Sequence, residues 1–228
     1  MFDSRAMGMI VVTGANRGIG LALVETFRAR GLDVLAVCRS SSAQLEETGA
    51  EVLSGVDVTK DGDVQQLVQH IAQRSIDVLV NNAGILRWGD SLESPQFEDM
   101  RAQFEVNTLG PIRVTSALLD CFTPGSKVAM ITSRMGSIAD NGSGGAYGYR
   151  MSKAALNMAA VSMARDLKAR GVAVALLHPG MVATEMIGVT NGQIQPAEAA
   201  KGLVKRIDAL TLETSGSFWH QNGESLPW

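Results

Sequence analysis

Short runs of apolar residues alternate along the chain with longer stretches in which apolar residues recur at helical spacing. The runs predict β-strands at 9–14, 33–38, 51–58, 76–84, 127–133, 172–180 and 216–220. The longer stretches predict helices at 19–30, 61–73, 95–122 (as two helices), 146–170 and 196–209. Within 61–73, for example, the apolar side chains of Val64, Leu67, Val68 and Ile71 share one helix face.

Strands that are continuously apolar and separated by helices are typical of a parallel sheet with both faces covered. The pattern therefore predicts an α/β fold, a Rossmann-type doubly wound parallel sheet with helices on both faces. No Pro/Gly-rich linker and no change of composition divides the chain. We expect residues 1–228 to form a single domain, with 1–8 as a candidate extension outside the fold.

Composition and charge argue against several classes of function. The 228 residues carry 20 Lys and Arg against 23 Asp and Glu, and the basic residues are scattered, which argues against a nucleic-acid-binding surface. No apolar run reaches the roughly 18–20 residues that span a bilayer, and the first residues do not resemble a signal peptide. Cys38 and Cys121 suit a reducing compartment, so we expect a cytoplasmic protein, and no Cys/His cluster has metal-ligand spacing.

A glycine-rich turn, TGANRGIG (13–20), joins the first predicted strand to the first helix. Gly14, Gly18 and Gly20 give the spacing G-x-x-x-G-x-G, which lets a backbone and a helix N-terminus approach a pyrophosphate closely. Taken alone, an ordinary strand-to-helix turn explains the glycines about as well. The turn, however, is one of four suggestive stretches at predicted strand ends, with CRS (38–40), VDV (56–58) and NNAG (81–84), and ligands bind at that edge of parallel sheets.

The end of the second strand indicates which dinucleotide would bind. A carboxylate there would hold the ribose 2′-hydroxyl of NAD, but the sequence has Cys38 and Arg39. Arg39, together with Arg17 from the glycine turn, can pair with a 2′-phosphate. A solvated arginine at a strand end is the alternative, and NADP(H) is the predicted cofactor.

The stretch AYGYRMSKAAL (146–156) contains two tyrosines and a lysine at the start of a predicted helix. Tyr149 and Lys153 are four residues apart and therefore about 40° apart around the helix, whereas Tyr147 is about 120° from Lys153. A free phenol has a pKa of about 10, which a nearby ammonium and an oxidised nicotinamide would lower. A surface contact is the alternative interpretation of the pair, but the glycine turn upstream favours a proton-transfer site with Tyr149 as the donor.

Several motifs occur in a fixed order along nearly the whole chain: TG-x-x-x-G-x-G (13–20), NNAG (81–84), Asn107, Ser133, Tyr149-x-x-x-Lys153 and PGMVAT (179–184). In this combination the chain resembles a compact short-chain dehydrogenase/reductase. The tracts SRMGSI and YGYRMSKAALNM, with the final LPW, further resemble the C-factor-like or sniffer-like carbonyl reductase branch of that superfamily.

The resemblance implies a role for each matching residue. Tyr149 donates a proton to the substrate oxygen, Lys153 lowers its pKa and holds the nicotinamide ribose, Ser133 binds the substrate carbonyl, and Asn107 holds a relay water. Asp57 and Val58 would meet the adenine, and 179–184 the nicotinamide. The predicted cofactor site comprises Gly14, Asn16, Arg17, Gly18, Ile19, Gly20, Arg39, Asp57, Val58, Asn81, Ala83, Gly84, Tyr149, Lys153, Pro179, Gly180, Val182 and Thr184.

Some of these assignments have open alternatives. Ser133 could cap the following turn, and Ser137 is close enough to be a rival catalytic serine. Asn107 could cap or kink a helix, Asn81 could tie loops together, and His178 is best interpreted as a structural or cofactor-lining residue.

The segment between Thr184 and Pro196 is short and predicts a shallow, open substrate pocket, with a large physiological substrate or secondary turnover as the alternatives. The expected partner is a small carbonyl or alcohol substrate, and the resemblance implies a homodimer or homotetramer. A dinucleotide-binding signalling protein with little turnover is the alternative function.

Overall fold

The computed structural model describes residues 8–188 and 192–228. Its strands are β1 (Met9–Thr13), β2 (Val34–Val37), β3 (Glu51–Leu53), β4 (Ile76–Asn81), β5 (Phe122–Ile131), β6 (Ala173–His178) and β7 (Phe218–His220). They form one parallel sheet in the order β3-β2-β1-β4-β5-β6-β7. The strand order reverses between β1 and β4, and a crevice opens at such a point. Of the predicted extension 1–8, only Gly8 lies among the described residues.

Helices cover both faces of this sheet. They are α1 (Gly18–Arg28), α2 (Ala43–Glu47), α3 (Asp61–Ile71), α4 (Phe97–Phe104), α5 (Gly110–Ala117), α6 (Tyr147–Asp166) and α7 (Pro196–Ala209). Alternate strand residues enter two separate cores: Val11 and Leu79 pack with α3, α5 and α6, whereas Val12 and Val80 pack with α1, α2 and α7. The predicted doubly wound parallel fold is confirmed.

Two predicted strands, those corresponding to β3 and β5, differ most in extent from the observed ones. β3 ends at Leu53, because Gly55 takes a left-handed conformation (φ +82°) and Val56 N–H then donates to the Cys38 carbonyl. The later apolar residues of 51–58 are buried in this turn and not in a strand. β5 begins at Phe122, five residues earlier than predicted, and its register against β4 is irregular. The prediction missed these first residues because FTPGS resembles a turn more than a strand.

The long helical stretch predicted at 95–122 is also interrupted. Between α4 and α5, residues Glu105–Leu109 form a π-helical turn. After α5, residues Leu119–Cys121 form a short 3₁₀ turn. Such π turns often mark functional positions, and this one carries Asn107. The short helix α2 is absent from the prediction, and its start is capped by Ser42, which accepts from Leu45 N–H.

Candidate active site

The predicted motifs meet at the edge of the sheet where the strands end. The glycine turn follows β1, NNAG completes β4, Ser133 follows β5, and Pro179 follows β6. Because β1, β4, β5 and β6 are consecutive neighbours, these segments surround the crevice at which the strand order reverses.

The glycine turn leaves no room for a side chain at Gly14 or Gly20. Gly14 has a φ of +65°, and a Cβ atom placed on it would lie 2.8 Å from Ala83 Cα. A Cβ atom on Gly20 would lie 2.1 Å from the Gly14 carbonyl oxygen. Helix α1 then begins at Gly18, and the N-cap residue Arg17 makes no side-chain capping bond. The first N–H groups of α1 therefore face an open approach, which is the arrangement that binds phosphate groups.

Thr13 and Asn82 belong to the quoted motifs but not to the predicted site residues, and they hold this turn in place. The Asn82 amide donates to the carbonyls of Thr13 (3.0 Å) and Gly14 (3.1 Å), and the Thr13 hydroxyl accepts from the N–H groups of Asn82 and Ala83. Asn81 is directed elsewhere, since its buried amide donates to Thr115 Oγ1 at 3.0 Å. The side chain of Asn81 thus joins β4 to α5, as the alternative interpretation held, and only its backbone remains for a ligand. A polar residue ending an apolar strand was the available signal for Thr13.

The two arginines predicted to select the cofactor both lie near the turn. Arg39 is exposed at the end of β2, and within the described ranges its side chain makes no hydrogen bond or ion pair. Arg17 forms an exposed ion pair with Glu185. Arg39 is therefore available to a phosphate, whereas Arg17 would first exchange its carboxylate partner.

The segment expected to meet the adenine is held by side-chain hydrogen bonds. The Asp57 carboxylate accepts from the N–H (2.9 Å) and the hydroxyl (2.8 Å) of Thr59. Burial acts to raise the pKa of Asp57, but these hydrogen bonds and the charges of Arg39 and Lys60 hold it below its usual value. The neighbouring Val58 is buried, and the two residues form one wall beside Arg39.

Tyr149, Lys153 and Ser133 come together in a dry part of the crevice. Tyr149 is 9% exposed and Lys153 5% exposed, and the Lys153 ammonium lies 5.8 Å from the centre of the Tyr149 ring. Lys153 Nζ donates to the Ile131 carbonyl at 2.9 Å, which fixes it beside the end of β5. Ser133 lies beside the Tyr149 side chain, where its hydroxyl acts to lower the pKa of the phenol. The helical spacing of Tyr149 and Lys153 thus produces the predicted juxtaposition.

Burial shifts the pKa values of both members of this pair. Burial raises the pKa of Tyr149 to about 12, and the Ser133 hydroxyl acts in the opposite direction. Burial also lowers the pKa of Lys153 to about 8. A dry environment disfavours both charged forms, so the protein's own groups keep the phenol protonated, and the lowering expected from Lys153 together with an oxidised nicotinamide stays a prediction.

Ser133 and Ser137 occupy different environments. Ser133 Oγ accepts from Met135 N–H at 3.1 Å, so it caps the following turn in addition to contacting Tyr149. Ser137 Oγ accepts from Asp140 N–H at 3.1 Å. Of the two serines, Ser133 is the one that the structure brings to the tyrosine.

Asn107 fixes the backbone on the other side of the crevice. Its Oδ1 accepts from Ile85 N–H (2.8 Å), and its Nδ2 donates to the Ile85 carbonyl (2.9 Å) and to Ser152 Oγ (3.0 Å). A Cβ atom on Gly84 would lie 3.2 Å from Asn107 Oδ1 and 3.8 Å from Lys153 Nζ. Both polar atoms therefore border the small space that the missing side chain of Gly84 leaves.

The start of α6 depends on a residue that the sequence did not reveal. Ala146, the N-cap, is left-handed (φ +47°) and makes no side-chain capping bond. The buried Asp90 supplies the cap from 58 positions away, since its Oδ2 accepts from Gly148 N–H at 2.6 Å. A Cβ atom on Gly148 would lie 2.6 Å from Gln103 Nε2. Asp90 and Gly148 thus set the position of Tyr149, the next residue.

The segment after β6 closes the crevice beside the glycine turn. Gly180 is left-handed (φ +87°), and Val182 pairs with Ile194 in an isolated bridge. A Cβ atom on Gly18 would lie 3.3 Å from Thr184 Cγ2, so Thr184 borders the start of α1. Residues 189–191 of the short segment lie outside the described ranges, and its predicted effect on pocket depth stays a prediction.

His178 at the end of β6 is a structural neighbour of the site. Burial, together with the charges of His220, Arg134 and Lys153, lowers the pKa of His178 to about 3. Its ring packs edge-on against His220 with 5.1 Å between the centres. A histidine with this pKa stays neutral at physiological pH and supplies no acid.

Neither a membrane span nor a metal cluster emerges from the part of the chain that the structure describes. No helix within 8–188 or 192–228 combines the length and apolarity that crossing a bilayer requires. The same ranges contain no group of three or more His, Cys, Asp or Glu side chains arranged to hold a metal ion.

Comparison with known proteins gives consistent results. The family model of the short chain dehydrogenases matches residues 8–195. A 1-hydroxy-2-glutathionyl-2-methyl-3-butene dehydrogenase from Rhodococcus sp. (strain AD45) is 42% identical, over 97% of this chain and 100% of that protein. The C-signal protein of Myxococcus xanthus is 46% identical over 67% of this chain and 93% of its own length. Among solved structures, the NADPH-bound carbonyl reductase from chicken fatty liver superimposes with a TM-score of 0.87 at 27% identity, covering 97% of this chain and 99% of that one.

Proposed function

The chain belongs to the short-chain dehydrogenase family, and we propose that it is an NADP(H)-dependent oxidoreductase that interconverts a carbonyl compound and its alcohol. The observation that carries this proposal is the convergence of Tyr149, Ser133 and Lys153 in one dry pocket beside the glycine turn. A turn that binds a dinucleotide and an adjacent proton donor are the two parts that such a reaction needs.

The glycine cradle fits a dinucleotide, because the backbone around Gly14 and Gly20 leaves no room for a Cβ atom and α1 presents free N–H groups. Arg39 would hold the 2′-phosphate of NADP(H), and Asp57 and Val58 would border the adenine. When bound, the cofactor supplies or accepts the hydride at its nicotinamide ring.

The protein's own residues would manage the proton. In reduction, Tyr149 donates its phenolic proton to the substrate oxygen, and burial ensures that this proton is present at neutral pH. Ser133 donates a hydrogen bond to the same oxygen and stabilises developing negative charge. Lys153 stabilises the resulting phenolate while its ammonium remains protonated, and Asn107 borders the space through which a water could return the proton.

The remaining features of the proposal concern the assembly and the location. Helices α4 and α6 carry exposed apolar side chains, including Phe104, Met151 and Met158, the last 70% exposed. A second copy of the chain is the occupant implied by the family, so we infer a homodimer or homotetramer. Both cysteines are unpaired, which supports a reducing, cytoplasmic location.

A signalling role with little turnover is the second candidate. The identity to the Myxococcus xanthus C-signal protein favours it. The complete Tyr149, Lys153, Ser133 and Asn107 set favours an enzyme, because a protein that only binds a dinucleotide does not need an assembled proton donor.

A carbonyl panel separates these candidates. Purified protein is mixed with aldehydes and ketones of varied size, glutathione conjugates included, and oxidation of NADPH or NADH is followed by absorbance. We expect turnover with NADPH in preference to NADH, and Arg39→Asp should reverse the preference by about tenfold or more, since a charge-assisted bond to phosphate is lost. Tight NADPH binding without turnover of any carbonyl would favour the signalling role, and an unchanged preference in Arg39→Asp would refute the cofactor assignment.

A further inference from the structure

Arg113, on α5, joins three separate segments of the chain. Its Nε donates to Asp61 Oδ1 at 2.6 Å, its Nη1 to the Val58 carbonyl at 3.0 Å, and its Nη2 to Glu105 Oε1 at 2.9 Å. The Arg113 side chain is 22% exposed, so these contacts are partly shielded from water. One guanidinium thus connects a loop, the start of a helix and a π-helical turn.

Two of these segments belong to the proposed site. Val58 follows Asp57 in the wall that would meet the adenine. Glu105 is the first residue of the π-helical turn that carries Asn107, and Asn107 holds the backbone of Ile85. Arg113 therefore lies between the adenine end and the Asn107 end of the crevice, although it touches neither reacting groups nor the glycine turn.

The contact between the loop and α5 is close over a whole helical turn. A Cβ atom on Gly110 would lie 2.9 Å from Val58 Cγ2, so the start of α5 packs directly on the Val58 side chain. Gly110 and Arg113 are three residues apart and share a helix face. The loop is thus held against α5 by packing at Gly110 and by the hydrogen bond from Arg113.

The geometry also requires arginine. A guanidinium has five N–H donors in a planar fork, which can reach three acceptors in three directions at once. A lysine ammonium keeps the positive charge but concentrates its donors on one atom. The lysine variant therefore separates the geometric contribution from that of charge.

We propose that Arg113 is a positioning residue that sets the adenine-side loop at Val58 and the Asn107 turn relative to each other. The proposal rests on the proposed function. Loss of the Val58 contact would chiefly weaken cofactor binding, and loss of the Glu105 contact would chiefly slow turnover, because the π turn would no longer hold Asn107 in register.

The test compares Arg113→Lys with single-arm variants Asp61→Asn and Glu105→Gln, and with Arg170→Lys as a matched control. Arg170 also donates to a main-chain carbonyl, that of Leu119 at 2.8 Å, but far from the crevice. For each variant, the dissociation constant for NADPH is measured by fluorescence titration and kcat at saturating NADPH.

We expect Arg113→Lys to raise the dissociation constant and lower kcat, each by about tenfold. Asp61→Asn weakens the ion pair that orients the guanidinium toward the Val58 carbonyl, so it should mainly raise the dissociation constant, by about two- to fivefold. Glu105→Gln should mainly lower kcat, by about two- to fivefold. Arg170→Lys should change neither quantity. If Arg113→Lys lowers only the melting temperature, with affinity and kcat unchanged, the proposal is wrong.

Two further outcomes remain decisive. If Arg113→Lys does not fold, an effect of Asp61→Asn on the dissociation constant and of Glu105→Gln on kcat still supports the coupling, and identical effects of the two variants on both quantities contradict it. If the wild-type protein turns over no carbonyl, the proposed function fails by itself. The NADPH titrations then decide the adenine half of the present proposal independently.

Discussion

The glycine turn and the start of α6 lie at the same edge of the sheet, but they are built in opposite ways. The turn leaves no room for side chains at Gly14 and Gly20 and presents backbone N–H groups, whereas the α6 region buries the polar side chains of Tyr149 and Lys153. Cofactor binding thus depends on the absence of side chains in the turn, whereas proton transfer depends on side chains of α6 that are shielded from water. The difference implies that substitutions in the two regions should affect different measurable quantities.

Ser133→Ala is expected to give the largest effect among the supporting residues of the α6 region. The variant loses the hydroxyl that contacts Tyr149, and removal of one donor to a developing oxyanion lowers kcat by about 10²–10³-fold. Steady-state kinetics at saturating NADPH measure this.

Ser137→Ala is the matched control, since it also loses a hydroxyl that caps a turn. Its kcat should stay within about twofold of wild type. Such a change corresponds to less free energy than the loss of a typical hydrogen bond. An equal loss in both serine variants would mean that the turn, and not the Ser133 hydroxyl, matters.

Gly20→Ala tests the turn. The new Cβ atom would meet the Gly14 carbonyl at 2.1 Å, so the backbone must shift, and the dissociation constant for NADPH should rise by about 10- to 100-fold. Fluorescence titration gives the constant. Gly62→Ala, in α3 with nothing within 4 Å of its added Cβ, is the control and should bind NADPH as wild type does. Unchanged binding in Gly20→Ala would remove the basis for placing the cofactor at this turn.

The pH profile of reduction should report Lys153. Burial lowers the pKa of Lys153 to about 8, so its ammonium is present below that pH and is lost as the pH rises through it. Because that charge stabilises the phenolate left by proton donation, kcat should fall above pH 8, by up to about tenfold per pH unit. Tyr149, with a pKa of about 12, does not titrate in this window.

Lys153→Arg provides the control for this profile. A guanidinium does not titrate between pH 7 and 10, so whatever activity remains should lose the inflection. An inflection that persists in this variant would belong to another group.

Asp90→Ala should give the smallest of these effects. It removes the long-range cap on Gly148 and should lower the free energy of unfolding by about 1–2 kcal/mol, as loss of an N-cap does. Urea unfolding measures this. Asp90→Asn keeps an acceptor oxygen and should lose less, and equal losses would indicate that the Asp90 charge matters more than its hydrogen bond.

Much of the fold could be predicted because it depends on local periodicity. Buried strands and helix faces such as that of Val64 and Ile71 follow from the spacing of apolar residues. Strand ends were less predictable, because Gly55 ends β3 through a turn whose residues are also apolar. The π-helical turn at Asn107 was not predicted, since sequence periodicity does not register one extra residue in a single helical turn.

Site residues could be predicted where residue type and local spacing define their position. They were missed where contacts between residues far apart in the sequence define it. The helical spacing of Tyr149 and Lys153 and the positions of the glycines are local properties. The contacts of Asn82 with Thr13 and of Asp90 with Gly148 join residues 58 or more positions apart, so no local pattern reveals them. The effect of burial, which raises the pKa of Tyr149, could not be predicted, because burial is a property of the fold.

The most direct measurement of the central claim is the turnover and NADPH affinity of Tyr149→Phe, prepared beside Tyr147→Phe. We expect Tyr149→Phe to lower kcat by about 10²–10⁴-fold, the contribution of a positioned general acid, and to leave the dissociation constant for NADPH within about twofold. Tyr147→Phe should retain turnover. Substantial turnover by Tyr149→Phe, or an equal loss in both variants, would contradict the assignment of Tyr149 as the proton donor.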